Sequence, residues 1–445
     1  MIESISAEIL TLIMIVGVIV GIMIGYPLAL ALGAVGLIVG YAVLGAPVFE
    51  LFYVRLFKML YNYILLAVPL FIFMGTIMAK SGIADRMYSA LYLWLGRFRG
   101  GLAVSTVLIG TVLAACVGII GASITMLALI GLPSMIKRGY SKSLACGSVS
   151  AGGCLGILIP PSVLLVMYGP VAGLSVGKMF MAAFFPGFVL SGLYCVYIAL
   201  RCLFQPQLAP VIPIEEMAVP LSKKTVMLAT SMVPPGLLIL AVLGSIFFGV
   251  APPTEAAAIG GLAAIVLTVA YRRFSWQILR EAVLTTLSIT GMIFLIICFA
   301  YAFAGVFIAI GCGKVVEELI LSAPFGRWGI FALVMFIIFL LGFIIDSIGI
   351  IFIMVPILVP VWPALGFDPL WAGMMVCINF QMSYMTPPMA GAIFYLRGSA
   401  PPELHVTTGD IILGVIPYVG LIMVGLGLCA AFPQIILWLP SMMIK

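Results

Sequence analysis

A Gly-aromatic pair followed 21 residues later by a double proline occurs twice in this chain, the mark of an internal duplication. The first copy runs from Gly139-Tyr140 to Pro160-Pro161, with Tyr168 eight residues beyond Pro160. The second runs from Gly366-Phe367 to Pro387-Pro388, with Tyr395 eight residues beyond Pro387. Upstream, Ser123 lies ten residues before Pro133 and Asp346 ten before Pro356, after which the second copy carries four extra residues. Double prolines also occur at Pro234-Pro235, Pro252-Pro253 and Pro401-Pro402, so one match would carry no weight. Several spacings kept 227 residues apart do carry weight. Paired Gly/Pro interruptions at corresponding places in two apolar halves point to the binding site of a secondary transporter.

The solvent for such a chain is lipid. It is 65% hydrophobic and 8% charged, against about 25% charge in soluble domains. Apolar runs able to cross a core of about 30 Å include Ile9 to Tyr26, Leu28 to Val48, Val226 to Val250 and Thr285 to Gly311. No segments of alternating polarity suggest a β-barrel, so a polytopic all-α membrane protein is expected. The net charge of +6 is spread over short loops (Arg97/Arg99, Lys137/Arg138/Lys142, Lys223/Lys224, Arg272/Arg273). That pattern marks a cytoplasmic face and not a nucleic-acid footprint. Nine cysteines without a CxxC read as small core residues. MIESISAEIL has neither a basic n-region nor a cleavage site, so no removable signal peptide is expected.

The landmarks divide the chain into a scaffold with interfacial helices (1–99), a first hairpin and broken helix (100–204) and a polar linker (205–224). A second scaffold segment (225–325), a second hairpin and broken helix (326–400) and a C-terminal linker and span ending near Leu439 (401–445) complete it. Phe49 to Tyr63 and Ile83 to Arg99 mix charges with aromatics, which suits helices in the membrane plane or ordinary span ends. Leu102 to Ile136 and Ile330 to Leu365 are long for one helix yet have no charged loop at mid-length. Each reads as a re-entrant hairpin, a geometry allowed at depth only where it is buried in protein or lines a cavity.

After each hairpin comes a segment built to unwind. In Ser148-Val-Ser150-Ala-Gly152-Gly153-Cys-Leu-Gly156-Ile-Leu-Ile-Pro160-Pro161-Ser162 the glycines weaken the helix and the prolines remove amide donors. Its counterpart is Asn379-Phe-Gln381-Met-Ser383-Tyr-Met-Thr386-Pro387-Pro388. Free carbonyls and hydroxyls suit a hard cation such as Na⁺, and half-helix N-termini suit an anionic substrate group. A merely kinked helix is the plainer alternative. Asp346, deep in an apolar run, is a functional candidate for a cation site or proton relay, or a cap for backbone amides. Glu255 after Pro253 reads as a helix start, and the glycine pairs Gly21/Gly25 and Gly36/Gly40 as close helix packing.

At these residues the chain resembles the large membrane (M, DctM-like) subunit of TRAP transporters, the tripartite ATP-independent periplasmic transporters. The segments are GASITMLALIGLPSMIKRGY (121–140), SAGGCLGILIPPSVLLVMYG (150–169), APPTEAAAIGG (251–261), GFIIDSIGIIFIMVPILVPVWPALGFDP (342–369) and QMSYMTPPMAGAIFYLRG (381–398). The resemblance implies two inverted repeats, an elevator mechanism and a Na⁺ gradient as driving force, with no other cofactor. It implies a periplasmic substrate-binding protein (P-type), a small membrane subunit (Q-type) expected as a separate chain, and an inner-membrane location. Carried over, the hairpin tips are Gly121 to Thr125 and Asp346 to Gly349. Na⁺ candidates are Gly121, Ser123, Thr125, Asp346, Ser347 and Thr386. Substrate candidates are Ser150, Gly152, Gly153, Pro160, Ser162, Gln381, Ser383 and Pro387. The run 381–398 looks most like the branch associated with 2-oxo acids, lactate and similar monocarboxylates, or mannitol and chloroaromatic compounds.

Two other readings compete. A Na⁺- or H⁺-coupled organic-anion symporter without a binding protein would share the layout, although the divalent-anion type uses a Ser-Asn-Thr tripeptide that this chain lacks. An intramembrane serine protease could use Gly121-Ala-Ser123, but the sole histidine, His405, sits in a polar linker. No phosphate loop of a pump occurs.

Overall fold

The computed structural model describes residues 6–211, 219–388 and 390–443, and among them every regular element is helical. In chain order the first half contains α1 (Ala7–Met23), α2 (Leu28–Leu44), α3 (Pro47–Leu60), α4 (Ala67–Lys80) and α5 (Ile83–Leu95). There follow α6 (Gly101–Val117), α7 (Ile120–Ile136), α8 (Lys142–Cys154), α9 (Val163–Ala172) and α10 (Val176–Phe204). The second half begins with α11 (Leu221–Phe247), α12 (Pro253–Ala270), α13 (Trp276–Ala309) and α14 (Cys312–Leu321). It continues with α15 (Arg327–Leu341), α16 (Ser347–Ala364), α17 (Pro369–Met385), α18 (Gly391–Ser399), α19 (Thr408–Ala431) and α20 (Gln434–Ser441).

The duplication is visible element by element. Hairpin α6–α7 corresponds to α15–α16, broken helix α8/α9 to α17/α18, and the following span α10 to α19. The short α5 corresponds to α14, and α3 through α4 covers the same length of chain as the continuous α13. The expected fold class is what the structure has: a polytopic all-α protein whose two repeats each contain a hairpin and a discontinuous helix. Among the described residues seven helices are long and apolar enough to cross a membrane.

Local chemistry sets the helix ends. The Asp368 side chain accepts from the amides of Leu370 and Trp371 at 2.8 and 3.0 Å, starting α17 at Pro369. Thr407 and Asp410 form a capping box for α19. Glu255 lies in the first turn of α12 behind Pro253, the helix start that its sequence suggested. The C-terminal span departs from expectation. It stops at Ala431, before Pro433, and α20 is a separate short helix. The polar linker is also shorter than 205–224, because α11 already begins at Leu221; residues 212–218 lie outside the described residues.

Burial separates a core from a lipid-facing shell. Every residue of α8 from Leu144 to Cys154 is buried, as is every residue of α17 from Trp371 to Ser383. Around this pair the outer helices turn Ile38, Leu237, Leu240, Leu262 and Leu287 outward, as surfaces bathed in acyl chains require. Small residues allow the core helices to approach closely. A Cβ on Gly147 of α8 would lie 2.2 Å from the Gly414 carbonyl of α19. Gly36 and Gly40 of α2 serve α13 similarly, whereas Gly25 faces open space.

One group of basic residues shares a face. Tyr271, just after α12, donates its hydroxyl to the Thr230 carbonyl of α11 at 3.1 Å. Arg86 stacks over the Tyr271 ring at 4.5 Å, and Lys80 pairs with Glu281 at the start of α13. Lys223/Lys224 and Arg272/Arg273 therefore flank the α11–α12 pair on the same side, which charge bias makes cytoplasmic. Helices α3 and α5, of 14 and 13 residues, reach only about 20 Å. Neither crosses the membrane alone, and each carries charged side chains as an interfacial helix does.

Candidate functional site

The first hairpin turns at Gly118-Ile119, where Gly118 takes φ 62, and not at Gly121 to Thr125. Gly121, Ser123 and Thr125 instead form the first turns of α7. Gly121 and Thr125, one turn apart, both face α18 of the other repeat. Gly121 lies under the Tyr395 ring, where a Cβ would come within 2.8 Å, and the Thr125 hydroxyl meets the Ser399 hydroxyl at 2.9 Å. Ser123 faces inward, fully buried, and its hydroxyl has no hydrogen-bond partner among the described residues. A Cβ on Gly156 would lie 3.6 Å from that hydroxyl.

Gly156 belongs to the break in α8. The helix runs to Cys154, one 3-10 turn covers Leu155–Ile157, and α9 starts only at Val163. The Pro160-Pro161 bond in between is cis. Ser150, Gly152 and Gly153 are therefore helical and precede the unwound stretch. Gly152 and Gly153 make packing possible: Gly110 of α6 sits against the Gly152 backbone, and a Cβ on Gly153 would strike Ile124 at 2.3 Å. Ser162 donates to the Ile157 carbonyl at 2.5 Å, closing the unwound loop. A Cβ on Gly118 would lie 2.9 Å from the Pro161 carbonyl, so hairpin turn and proline stretch touch. Ser150 is buried and its hydroxyl has no partner among the described residues, in contrast to Ser148, which bonds the Leu144 carbonyl at 2.8 Å and Tyr418 at 3.0 Å.

In the second repeat the bend is Gly342 to Asp346, and Ser347 already opens α16. The expected tip, Asp346 to Gly349, is thus displaced as well. Asp346 adopts extended backbone angles that an N-cap requires, and its carboxylate accepts from the Ile348 amide at 3.1 Å. The capping alternative is realised, and so is exposure to a cavity. The second oxygen of the carboxylate accepts a hydrogen bond from the Tyr384 hydroxyl of α17. α17 ends at Met385, and Thr386 turns extended ahead of the cis Pro387-Pro388 bond. The Thr386 hydroxyl donates to the Met382 carbonyl at 2.8 Å, which leaves its lone pairs available.

A cavity of about 370 Å³ lies between this bend and the broken helix. Of the sequence candidates it brings together Asp346, Ser347 and Ser383. Tyr384, Phe394 and Tyr395 form aromatic walls that sequence reasoning had not assigned to a site. Their signal was present in aromatic positions flanking Thr-Pro-Pro, but it is hard to separate from ordinary apolar helix content. Gln381 lies outside this lining. It is buried on α17, and neither of its amide atoms has a partner among the described residues, while nearby Asn379 donates to the Met335 carbonyl at 2.7 Å. An orphan amide of this kind costs about 1–3 kcal/mol and calls for a water, ion or ligand.

The two repeats interlock crosswise. α18 packs on α7, and α9 packs on α16. The 3-10 turn Leu155–Ile157 touches both α7 and α17. Each hairpin's second arm thus holds the far half of the other repeat's broken helix. Ser123, by contrast, has no base within hydrogen-bond reach among the described residues, the pairing that an activated serine nucleophile uses. Among the described residues no cluster of His, Cys, Asp and Glu is arranged to hold a metal.

The family model for the tripartite ATP-independent periplasmic transporter, DctM component, matches residues 13–435. The chain belongs to this family. It is 29% identical to the C4-dicarboxylate TRAP transporter large permease protein DctM of Vibrio cholerae, over 86% of each chain. It is 28% identical to the sialic acid TRAP transporter large permease protein SiaM of the same organism, over 86% of this chain and 87% of that one. The YdaH transporter of Alcanivorax borkumensis, described as having an unusual topology, shares the fold with a TM-score of 0.61 at 17% identity, covering 96% of this chain and 99% of that one. This DctM-family protein is accordingly a multi-pass inner-membrane permease and not an enzyme. Its family takes up organic acids with a periplasmic binding protein.

Proposed function

We propose that this permease carries a small organic anion, a 2-oxo acid or other monocarboxylate, into the cell with Na⁺, by elevator movement. The moving unit is α6–α9 with α15–α18; α1–α4 and α11–α14 are the scaffold. The observation that carries the reading is the crosswise pair of hairpins and broken helices, whose turns leave buried hydroxyls and one carboxylate in place. The chemistry supports cation coupling in particular. Asp346 is the one charged side chain lining the cavity, and no Lys or Arg lines it. An organic anion entering alone would meet only a like charge. A cation at Asp346 neutralises that charge, and the N-terminus of α18, which opens on the cavity at Gly391 and has no side-chain cap, can receive the substrate carboxylate.

The ligand is handed over by a periplasmic binding protein, and the small membrane subunit is a separate chain that packs on the scaffold. The test is uptake by proteoliposomes in which each partner is added back in turn. Accumulation only with permease, small subunit and binding protein together is expected. Full uptake by the permease alone would instead establish a symporter that needs no binding protein.

A further inference from the structure

The carboxylate of Asp346 is placed where an ion-coupled carrier meets a difficulty. With a cation bound its charge is balanced. When the carrier returns empty, a bare carboxylate stays in a membrane-embedded cavity, which is costly. The cavity offers no Lys, Arg or His as a substitute. Of the hydroxyls that line it (Ser347, Ser383, Tyr384 and Tyr395), the one that donates to Asp346 is that of Tyr384, 38 residues along the chain.

We infer that Tyr384 is a placeholder for the coupling cation, a positioning residue that satisfies Asp346 when the site is empty and is displaced when the cation binds. This rests on the Na⁺-coupled reading above. One carboxylate oxygen accepts from the Ile348 amide at 3.1 Å and the other from the Tyr384 hydroxyl, so a cation drawing on the second oxygen meets the Tyr384 proton there. A hydrogen bond to a charged acceptor is among the stronger ones, so cation binding and the Tyr384 contact compete.

The surroundings fix where the ring can go. Tyr384 lies on the last turn of α17, immediately before the Thr386 break. A Cβ on Gly391, the first residue of α18, would lie 2.6 Å from the Tyr384 ring. The preceding residue, Ser383, is seated on the hairpin bend, where a Cβ on Gly342 would lie 2.3 Å from it. The ring is therefore packed against the first residue of α18, the helix that its displacement from Asp346 would disturb. Four residues beyond Gly391, Tyr395 covers Gly121, and Ser399 meets Thr125 at 2.9 Å. Displacement of Tyr384 thereby reaches the first turn of α7, which carries Ser123. Occupancy at Asp346 in one repeat is felt at the buried hydroxyl of the other through a single short helix.

The test uses the purified full-length permease in detergent. Its thermal unfolding midpoint is titrated with NaCl against choline chloride at constant ionic strength. Tyr384→Phe keeps the ring and removes the competing donor. It is expected to lower the half-saturating Na⁺ concentration about 10-fold, equivalent to 1.4 kcal/mol. In the reconstituted tripartite system the same variant should lose maximal net uptake while keeping substrate exchange, which never requires the empty carrier to return. In an Asp346→Asn background the substitution should leave Na⁺ half-saturation unmoved. A purely structural role would lower the midpoint without improving Na⁺ affinity, and unchanged or weakened affinity in Tyr384→Phe overturns the inference. A wild-type protein that does not distinguish Na⁺ from choline would overturn the Na⁺ reading itself, and the placeholder with it.

Discussion

Gly110 is where the first hairpin bears on the first broken helix, and a single methyl group there tests the packing argument. A Cβ at Gly110 would stand 2.7 Å from the Gly152 carbonyl carbon and oxygen and 2.8 Å from its Cα. All three are backbone atoms, so no side chain can move aside. Restoring ordinary contact at 3.4 Å requires α6 and α8 to part by about 0.7 Å, an overpacking that costs about 1–3 kcal/mol. The displacement also carries α7, and with it Ser123, away from the Gly156 turn. Gly291 of α13 supplies the control, because nothing lies within 4 Å of its Cβ position. There alanine is favoured by about 0.5–1 kcal/mol through helix propensity. Gly110→Ala should lower the unfolding midpoint in detergent and raise the Na⁺ concentration for half-maximal uptake; Gly291→Ala should do neither. If the two variants behave alike in both assays, the hairpin–helix contact does not set the site.

Asp346→Asn and Thr386→Val should each reduce Na⁺-driven uptake while the protein still inserts into the membrane, measured by uptake alongside membrane-fraction yield; normal Na⁺ dependence in both would make these residues structural. Gln381→Leu removes two unpartnered buried polar atoms, so its unfolding midpoint should hold or rise while substrate affinity falls. A stable variant with unchanged affinity would place Gln381 outside the ligand's reach.

The large features of the fold were legible because lipid leaves little choice. Backbone polar groups must be satisfied within helices, so clustered Gly and Pro in apolar runs mark the breaks at the core, and the doubled Pro-Pro spacing located both discontinuous helices. The hairpin turns were displaced by a few residues for reasons the spacing does not contain. Gly118 can take the positive φ that the first turn needs, while the segment Gly121 to Thr125 has no obstacle to helix. In the second repeat Asp346 was assigned to the tip, but as an N-cap it ends the bend and starts the helix. Which side of a helix a residue faces depends on its partners. Gly121 and Thr125 look outward to α18, and Ser123 between them looks inward. Tyr384 was invisible as a site residue because its meaning comes from Asp346 and Gly391, neither adjacent in sequence.

The most direct test of the central claim is substrate accumulation in proteoliposomes holding the permease with its small subunit and binding protein, under an inward Na⁺ gradient. The account predicts accumulation against the substrate gradient that collapses when Na⁺ is equalised or replaced by K⁺. Accumulation indifferent to the Na⁺ gradient would contradict it.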